Sequence, residues 1–515
     1  MSAAAPAAVR TARTGRSPWL VPIALSALIV GWQVSFNSAT FGPRSPFRMT
    51  ASMGLCIDAR NFFYFFHHYG VFPVGAREVP ALGPSKRAAD EFVARHGDRL
   101  TMDFGLPTNT SRFGDYGKLF LLYPDVLIRG DPGNPSTIPA DELLFVAALL
   151  AVFWAFWLGG HGLLGTLIVA LVGSDPFQVY ETYGRGNVFS IPITVTLLAL
   201  AAHVRFLERR QPVDRRAWAI AIASGAVLAS AREIRAEAAL VTATVFGAYL
   251  LARAPWPRRL ALAAAFVAAF ALTGFAWSRF WASEFARAEQ FVARAGGQVF
   301  HGRRDTHHTL WHAIYCGLGD YGTDRGYSWD DRDAFRWATT RDPVTNPHPL
   351  PYHYTTGGYY FEETYDGVNH IAPTDLPEYN RLVRGRVLKD VREHPGWYAG
   401  ILWQRLGAIL RDATPVGFSI GSSMAGLFGL GWLPIPVLAF AFWRRNYFHA
   451  MLVLFVLPLS ATALLVYSGK GMTFYGIAHL IALAVAVDLL VAAARVAAAR
   501  APAARAPAGK RSRAA

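Results

Sequence analysis

The chain has 515 residues, of which 53% are hydrophobic and only 17% are charged, and its formal net charge is +15. Soluble globular proteins carry about 25% charged residues, so this composition excludes an ordinary soluble protein and indicates a polytopic membrane protein. The positive charge does not indicate a nucleic-acid partner, because the basic residues concentrate in short segments between apolar runs and at the two termini. That pattern is typical of cytoplasmic loops.

The chain begins with a basic segment, residues 1–17, and continues into an apolar run at about 19–34. This order resembles a signal peptide, and Asn37-Ser-Ala39 resembles a cleavage site. We predict an uncleaved first transmembrane helix. The topology of the following chain is the same in either case.

Nine further apolar segments follow, so the sequence predicts an all-α polytopic membrane protein with about ten transmembrane helices. These segments lie at about 142–158, 162–173, 188–206, 217–231, 238–252, 259–279, 424–443, 448–467 and 474–493. Arginine-rich short loops and both termini fall on one side, which is therefore predicted to be cytoplasmic. In a bacterium, the two long polar regions then face the periplasm, and we refer to that side as the outer side.

The apolar segments divide the chain into four predicted units. An N-terminal transmembrane module covers 1–280 and includes a first outer region of mixed structure at 37–141. A second outer region of mixed structure covers 281–422, and C-terminal transmembrane helices cover 423–495. The Ala/Pro/Arg/Lys composition of 496–515 predicts a disordered basic tail.

An acidic residue followed by an aromatic run stands out early in the first outer region. Asp58 and Arg60 precede five aromatic residues, two histidines and a tyrosine, ending at Tyr69. Such an aspartate is either a structural charge with a partner or a functional group. Cys56 lies in the same stretch, and a bridge to the second cysteine, Cys316, is one option that nothing in the sequence supports.

Two outer turns between apolar segments carry charges. The segments 162–173, 217–231 and 238–252 are shorter than the roughly 20 residues that a membrane span needs, so their outer turns are predicted to lie below the membrane surface. Charged residues at that depth are functional-site candidates. They are Arg232, Glu233, Arg235 and Glu237 in one turn, and Asp175, Glu181 and Arg185 in the other. Mutual neutralisation in the first turn, and an interfacial loop with tyrosine anchors in the second, remain alternatives.

The second outer region contains further polar candidates. His308, Trp311 and His312 belong to a segment rich in His, Asp and Trp, which suits a divalent metal, a sugar-binding surface or simple packing. The Glu of a HExxH protease motif is missing. Residues 378–412 predict an amphipathic helix in the outer interface. In the last outer turn, Lys470 and His479 are candidates for binding a lipid phosphate, whereas snorkelling is the alternative for the lysine.

Taken together, these features resemble the GT-C superfamily of membrane glycosyltransferases, and more narrowly the bacterial proteins similar to protein O-mannosyltransferases and the aminoarabinose transferase. Ile57-Asp-Ala-Arg-Asn-Phe-Phe-Tyr resembles the acidic motif of that family's first outer loop. Val172-Gly-Ser-Asp-Pro-Phe and Tyr183-Gly-Arg-Gly-Asn resemble its second outer turn, and Ala231-Arg-Glu-Ile-Arg-Ala-Glu resembles its Arg/Glu-bearing helix junction. The chain departs from the mannosyltransferases at Ala59, where they have the Glu of an Asp-Glu pair.

The resemblance implies an inverting transferase that uses a polyprenyl-phosphate-linked sugar at the outer face. Asp58 would then be the catalytic base. Arg60, Arg185, Arg232, Arg235, Lys470 and His479 would bind the lipid phosphate. Asp175, Glu181, Glu233, Glu237, His308, Trp311 and His312 would bind the sugar or the acceptor. The acceptor would be a glycan, a lipid or a protein, no cofactor is certain, and Asp175 and Glu233 are rivals of Asp58 as base.

Two other classes of protein fit parts of the same pattern. A transporter or flippase of lipid-linked glycans would also carry charges within the membrane, although it does not need two large outer regions. A polymerase or ligase of lipid-linked glycans would share the donor and differ in the acceptor. A membrane subunit whose outer regions bind a partner protein is a further alternative.

Overall fold

A computed structural model describes residues 19–37, 56–76, 78–102, 116–184, 190–299, 310–321, 325–328, 334, 337, 353–355, 358–360, 364–365, 368–369, 377–412, 416–420, 423–427, 430–466 and 475–500. At 36–37, 56–61, 80, 184, 353–355, 358–360, 364–365, 368–369, 377–380, 412, 416–420, 423–427 and 499–500 it describes the backbone only. Within these residues the fold is a bundle of apolar helices that carries two lobes on its outer side.

The first part of the chain forms the first membrane helix and the first outer lobe. Helix α1 is Leu20–Gly31 and continues as a π-helical turn, Trp32–Asn37. The lobe contains α2 (Cys56–Tyr69), α3 (Lys86–His96), α4 (Lys118–Leu121), α5 (Tyr123–Arg129) and the short 3₁₀ turns Val79–Ala81 and Gly97–Arg99. The predicted first outer region is therefore mainly helical where it is described.

The apolar bundle follows in chain order. Its members are α6 (Ile138–Leu158), α7 (Gly162–Ser174), α8 (Pro176–Val179) with the π-helical turn Tyr180–Gly184, α9 (Ser190–Leu207), α10 (Arg215–Ile234), the 3₁₀ turn Ala236–Leu240, α11 (Val241–Leu250) and α12 (Trp256–Ala295). Helix α9 packs on α6, α6 on α7, and α10 along α12, while α1 packs on α6. Aliphatic and aromatic side chains from all of these helices form one continuous core.

The second outer lobe and the last membrane helices complete the fold. The lobe contains α13 (Leu310–Leu318), β1 (His353–Thr355), β2 (Gly358–Tyr360), β3 (Thr364–Tyr365), β4 (Val368–Asn369), α14 (Pro377–Glu393) and α15 (Pro395–Asp412). The antiparallel pair β5 (Val416–Ile420) and β6 (Ser423–Leu427) follows, with Phe418 opposite Ala425. The chain ends with α16 (Pro434–Trp443), α17 (Tyr447–Val456), a 3₁₀ turn (Leu457–Ser460), α18 (Ala461–Leu465) and α19 (Gly476–Arg500).

The helices agree with the predicted multi-pass membrane protein. Six described helices are long and apolar enough to cross a membrane, and α7 with the following bent segment makes a seventh. Three shorter apolar helices, Leu20–Ser35, Ala236–Leu250 and Pro434–Trp443, occupy the remaining predicted segments. Each predicted segment thus overlaps an apolar helix, and the total of ten spans stays a prediction.

Several predicted boundaries are wrong. Helix α10 is 20 residues long and reaches Ile234, so the segment predicted at 217–231 is not short. The segment predicted at 424–443 is half strand, because β6 precedes a helix α16 of only 10 residues. Helix α19 continues to Arg500, so the predicted disordered tail begins within a helix. Helix α12 crosses the predicted boundary at 280 and continues to Ala295.

The outer half of α12 forms one wall of the first outer lobe. Trp281, Phe285, Ala288 and Val292 recur every three or four residues, so they share one face of the helix. They pack on Phe62–Phe66 of α2, on Phe72 and on Tyr116 in a single apolar cluster. This aromatic contact attaches the lobe that begins with Asp58 directly to a helix of the bundle.

We expect the first lobe to lose stability in mild acid because of His68. Its burial, together with the nearby His67 and Lys86, lowers the pKa of His68 from 6.5 to about 4. The folded lobe therefore favours the neutral ring, and this contribution is complete above pH 6.5 and is lost as the pH falls towards 4. Thermal unfolding between pH 7 and pH 4 should show a smaller loss for His68→Gln than for the unaltered protein. Equal losses in both proteins would contradict this role of His68.

Candidate functional site at the outer ends of the bundle helices

Part of the predicted site lies outside the described residues. Arg185, His308 and Lys470 belong to segments that the structure does not describe. Asp58 and Arg60 lie in the first two turns of α2, where only the backbone is described. Their predicted roles stay predictions, and the site is built here from the remaining candidates.

Asp175 caps a helix at the point where a membrane helix breaks. Helix α7 ends at Ser174, and the chain resumes as Pro176–Tyr183 after a bend of 61°. Proline lacks an N–H and disfavours helical backbone in the residue before it, so Asp175 is extended, with φ −66° and ψ 123°. Its Oδ2 accepts a hydrogen bond from the Gln178 N–H at 3.1 Å. Its Oδ1 is buried and has no partner among the described residues. The outer turn predicted at 174–187 is therefore a bent helix where it is described, up to Gly184, with a buried acceptor at the bend.

Gln33, which the sequence analysis missed, joins the first helix to this bend. Its Nε2 donates to the carbonyl of Gly173 at 2.8 Å, and its Oε1 accepts from the Tyr183 hydroxyl at 3.0 Å. A Cβ on Gly173 would lie 2.7 Å from Nε2, so glycine is required for this contact. The signal available in the sequence was a glutamine at the end of an apolar segment, where a buried amide needs partners.

Asp141 is a second acid that the sequence analysis missed. The predicted membrane segment began at 142, but α6 begins at Ile138, so Asp141 lies in its first turn and is fully buried. The Thr137 hydroxyl donates to Oδ2 at 3.2 Å, and Oδ1 has no partner among the described residues. Ser190 lies beside this carboxyl group, and Glu181 is close enough to interact with it electrostatically. Asp141 of α6 and Glu181 of the bent segment therefore belong to one buried acidic zone.

The charged turn after α10 contains one buried ion pair and follows two charged residues at the end of the helix. Arg235 and Glu237 form an ion pair at 2.9 Å, and their side chains are only 7% and 13% exposed. The interpretation of mutual neutralisation therefore holds for this pair. Arg232 and Glu233 lie in the last turn of α10. The 3₁₀ turn that carries Glu237 packs on α9, the helix whose first residue, Ser190, borders Asp141. Helix α9 is thus shared by the acidic zone and the arginine-bearing turn.

Glu233 connects the bundle to the first outer lobe. The Trp281 indole N–H donates to its Oε2 at 3.2 Å, and its backbone carbonyl accepts from the Gly117 N–H at 2.9 Å. A Cβ on Gly117 would lie 2.8 Å from that carbonyl oxygen, so the two segments are in direct backbone contact. Lys118, which follows, is buried. This geometry gives Glu233 a structural role beneath the lobe.

The remaining candidates are at other places. His479 is completely buried in the first turn of α19. His312 is buried in α13 with its Nε2 3.7 Å from the Cys316 sulfur, and the Arg384 guanidinium lies 5.6 Å from the ring centre of Trp311. No described group of three or more His, Cys, Asp or Glu side chains is arranged to hold a metal ion. The described part of the second lobe therefore supports packing for His312 and Trp311.

Arg405 is a buried cation that the sequence analysis placed only in an amphipathic helix. Its side chain is 0% exposed, whereas Trp403, two residues earlier, is 75% exposed. The guanidinium donates to the carbonyl of Leu464 at 3.1 Å and to the carbonyl of Gly317, and its Nε lies 3.8 Å from Asp320 Oδ2. Both carbonyls lie at helix C-terminal ends, which attract cations. Arg405 therefore joins α15 to α13 and to α18.

The chemistry available at the outer ends of the bundle is that of a polar ligand site. Buried carboxylates accept hydrogen bonds from hydroxyl groups, and arginines in a poorly hydrated position bind phosphate strongly. The acids Asp141, Asp175 and Glu181 and the arginines Arg232 and Arg235 supply both chemistries on adjoining helices. Glu233 also joins this end of the bundle to the base of the first lobe.

Comparisons with known proteins gave only structural neighbours. No family profile matches the sequence, and no curated protein matches it. The chain is similar to the archaeal oligosaccharyltransferase AglB from Archaeoglobus fulgidus in complex with an inhibitory peptide and a dolichol-phosphate, with a TM-score of 0.41 and 11% identity over 95% of this chain and 52% of that chain. It is also similar to the apo form of the Archaeoglobus fulgidus oligosaccharyltransferase, with a TM-score of 0.39 and 13% identity over 93% of this chain and 51% of that chain.

The chain spans about half the length of each of these enzymes.

Proposed function

We propose that the protein is an inverting glycosyltransferase that moves a sugar from a polyprenyl-phosphate donor to a glycan, lipid or protein acceptor. We place the reaction at the periplasmic face of a bacterial inner membrane. The observation that carries the proposal is the presence of the buried acids Asp141, Asp175 and Glu181 and of the buried Arg235–Glu237 pair on adjoining apolar helices. Intramembrane charges that border a polar ligand site are functional by default.

The proposed reaction transfers one proton and releases one leaving group. The acceptor oxygen attacks the anomeric carbon while the bond from that carbon to the phosphate oxygen breaks. Asp58 takes the proton of the acceptor hydroxyl, and the lipid phosphate leaves as an anion. Arg232 and Arg235, with Arg60, Arg185 and Lys470 from the outer loops, stabilise the negative charge on that phosphate. His479 is buried in α19, so in this proposal it supports the last outer turn.

The acids assigned to the sugar are revised by the geometry. Asp175 has one buried oxygen that a sugar hydroxyl would satisfy, and Asp141 joins it with the same property. Glu181 borders Asp141, so it belongs to the same group. Glu233 and Glu237 have protein partners and hold the site together. His308, Trp311 and His312 remain candidates for acceptor contact through the second lobe.

Substitution of Asp58 tests the proposed reaction. We expect Asp58→Asn to lower sugar transfer about 10²–10⁴-fold, because the amide cannot accept the proton, while binding of the lipid donor is retained. The measurement uses the full chain in proteoliposomes with a panel of polyprenyl-phosphate sugars. Surface glycans of a deletion strain, analysed by mass spectrometry, identify which sugar to supply.

A matched control and two opposing outcomes make this test decisive. Asp98, an exposed acid of the same outer region, supplies the control variant Asp98→Asn, which should transfer sugar normally. Full activity of Asp58→Asn would refute the base assignment. Translocation of lipid-linked sugar across the vesicle membrane without any transfer would refute the enzyme and favour a flippase.

A further inference from the structure

An apolar groove runs between α1, α6 and α7 on the membrane side of the bundle. Its volume is about 390 Å³. Its walls are formed by the residues Leu25, Leu28, Ile29, Trp32, Gln33 and Phe153 on one side and by Thr166, Val169, Ala170, Gly173 and Ser174 of α7 on the other. The groove extends from Leu25 of α1 to Gln33 of the π-helical turn. These eight residue steps correspond to roughly 12 Å at the rise of a helix.

The groove is lined for hydrocarbon. Three polar side chains on its wall are already engaged by the protein. The Thr166 hydroxyl donates to the Gly162 carbonyl, the Ser174 hydroxyl donates to the Ala170 carbonyl, and the Gln33 amide is used by Gly173 and Tyr183. An apolar cavity whose wall offers no such group to water stays dry. Between apolar membrane helices, the apolar molecule available to fill the groove is the hydrocarbon chain of a lipid.

The outer end of the groove coincides with the buried polar zone. Gln33 lines the groove and also bonds to Gly173 and Tyr183, which flank the helix break at Asp175. A chain seated between Leu25 and Gln33 would therefore emerge at the level of Asp175. This continuity with the candidate site distinguishes the groove from the ordinary lipid-facing surface of the bundle.

We propose that this groove binds the first isoprene units of the polyprenyl-phosphate donor. The inference rests on the proposed function, since it identifies where the chain of that donor lies. The sugar and the phosphate then occupy the buried polar zone, and the rest of the isoprenoid chain continues into the bilayer. The groove, rather than any group that contacts the sugar, selects the lipid.

Filling the groove tests the proposal. Ala170 is exposed to the groove, so Ala170→Trp would fill it without crowding the core. We expect binding of undecaprenyl phosphate to the purified full chain to weaken by about tenfold or more, because displacing two buried methylene groups already has that effect. Binding is measured by native mass spectrometry against phosphatidylglycerol. Leu163→Trp, at a membrane-facing position of the same helix that does not line the groove, should bind undecaprenyl phosphate normally.

Three results would overturn the proposal. Unchanged binding of undecaprenyl phosphate by Ala170→Trp is the first. An equal loss of phosphatidylglycerol and undecaprenyl phosphate is the second, because it would make the groove a general acyl-chain seat. The third is photo-crosslinking of a diazirine-bearing polyprenyl phosphate to the unaltered protein at peptides other than those containing 25–33 and 166–174.

The proposed function can fail separately from this proposal. Groove-dependent binding in a protein that never transfers sugar would refute the glycosyltransferase and leave the lipid site in place. If the protein transfers sugar but Ala170→Trp leaves its lipid binding unchanged, the groove proposal is refuted and the glycosyltransferase is retained.

Discussion

Replacing Trp281 with alanine should detach the first outer lobe from the bundle and cost about 3–5 kcal/mol of the lobe's stability. The Trp281 ring is buried between Phe72 and Tyr116, each 5.3 Å from it between ring centres, and its indole N–H donates to Glu233. The alanine variant would leave a large cavity and an acceptor on Glu233 without this donor. Because the lobe contains Asp58, loss of sugar transfer should accompany the loss of lobe stability.

Hydrogen exchange measures this effect locally. Amides of α2 and α3 should exchange faster in Trp281→Ala, while amides of α9 and α19 keep their protection. Trp256 is the first residue of the same helix and is 55% exposed, so Trp256→Ala is the matched control and should change neither region. Uniform acceleration throughout the chain would contradict a role confined to the lobe.

Replacing Arg405 with methionine should destabilise the second lobe by about 3–5 kcal/mol, the range found when one partner of a buried charge network is removed. Methionine keeps an unbranched apolar side chain at this position and removes every donor. The carbonyls of Gly317 and Leu464 then lose their bonds to the guanidinium, and Asp320 loses a neighbouring cation. Helix α15 should consequently separate from α13 and from α18.

The second outer lobe offers its own control for this substitution. Arg411 lies on the same helix and is exposed, so Arg411→Met should unfold at the temperature of the unaltered protein. Thermal unfolding of the purified variants, followed by limited proteolysis between α13 and α15, separates the two cases. Equal melting temperatures for Arg405→Met and Arg411→Met would contradict the role of Arg405 in joining α15 to α13 and to α18.

Hydropathy predicted the order of the membrane helices because that order depends on the burial of long apolar runs. Hydropathy gave the wrong helix end where a helix continues beyond its apolar run. Helix α12 extends beyond the apolar run because its aromatic face is buried by the first lobe. The spacing of Trp277, Trp281, Phe285, Ala288 and Val292 in the sequence was sufficient to predict this extension.

The candidate site was predicted in part, and the reason differs from residue to residue. Asp175 could be found because an acid before proline marks a break in an apolar segment. Asp141 was missed because a charge at a segment boundary is normally solvated, and the contacts of α6 with α9 and with the bent segment bury it. Arg405 was missed because an amphipathic pattern cannot tell which face meets protein. Trp403 is exposed and Arg405 is buried, the reverse of the order in a helix bathed in water.

The length of α12 determines how far the first outer lobe lies from the membrane. Its 40 residues correspond to roughly 60 Å at 1.5 Å per residue, about twice the thickness of a hydrocarbon core. The outer part of α12 supports the first lobe, so the length of this helix sets the distance between the lobe and the lipid. One added residue would raise the lobe by about 1.5 Å and rotate it by about 100°. An insertion of seven residues, which raises the lobe by about 10 Å, returns the aromatic face to within about 20° of the same side. The distance of the lobe from the lipid can thus change without rotating the aromatic face only in steps of whole helical repeats.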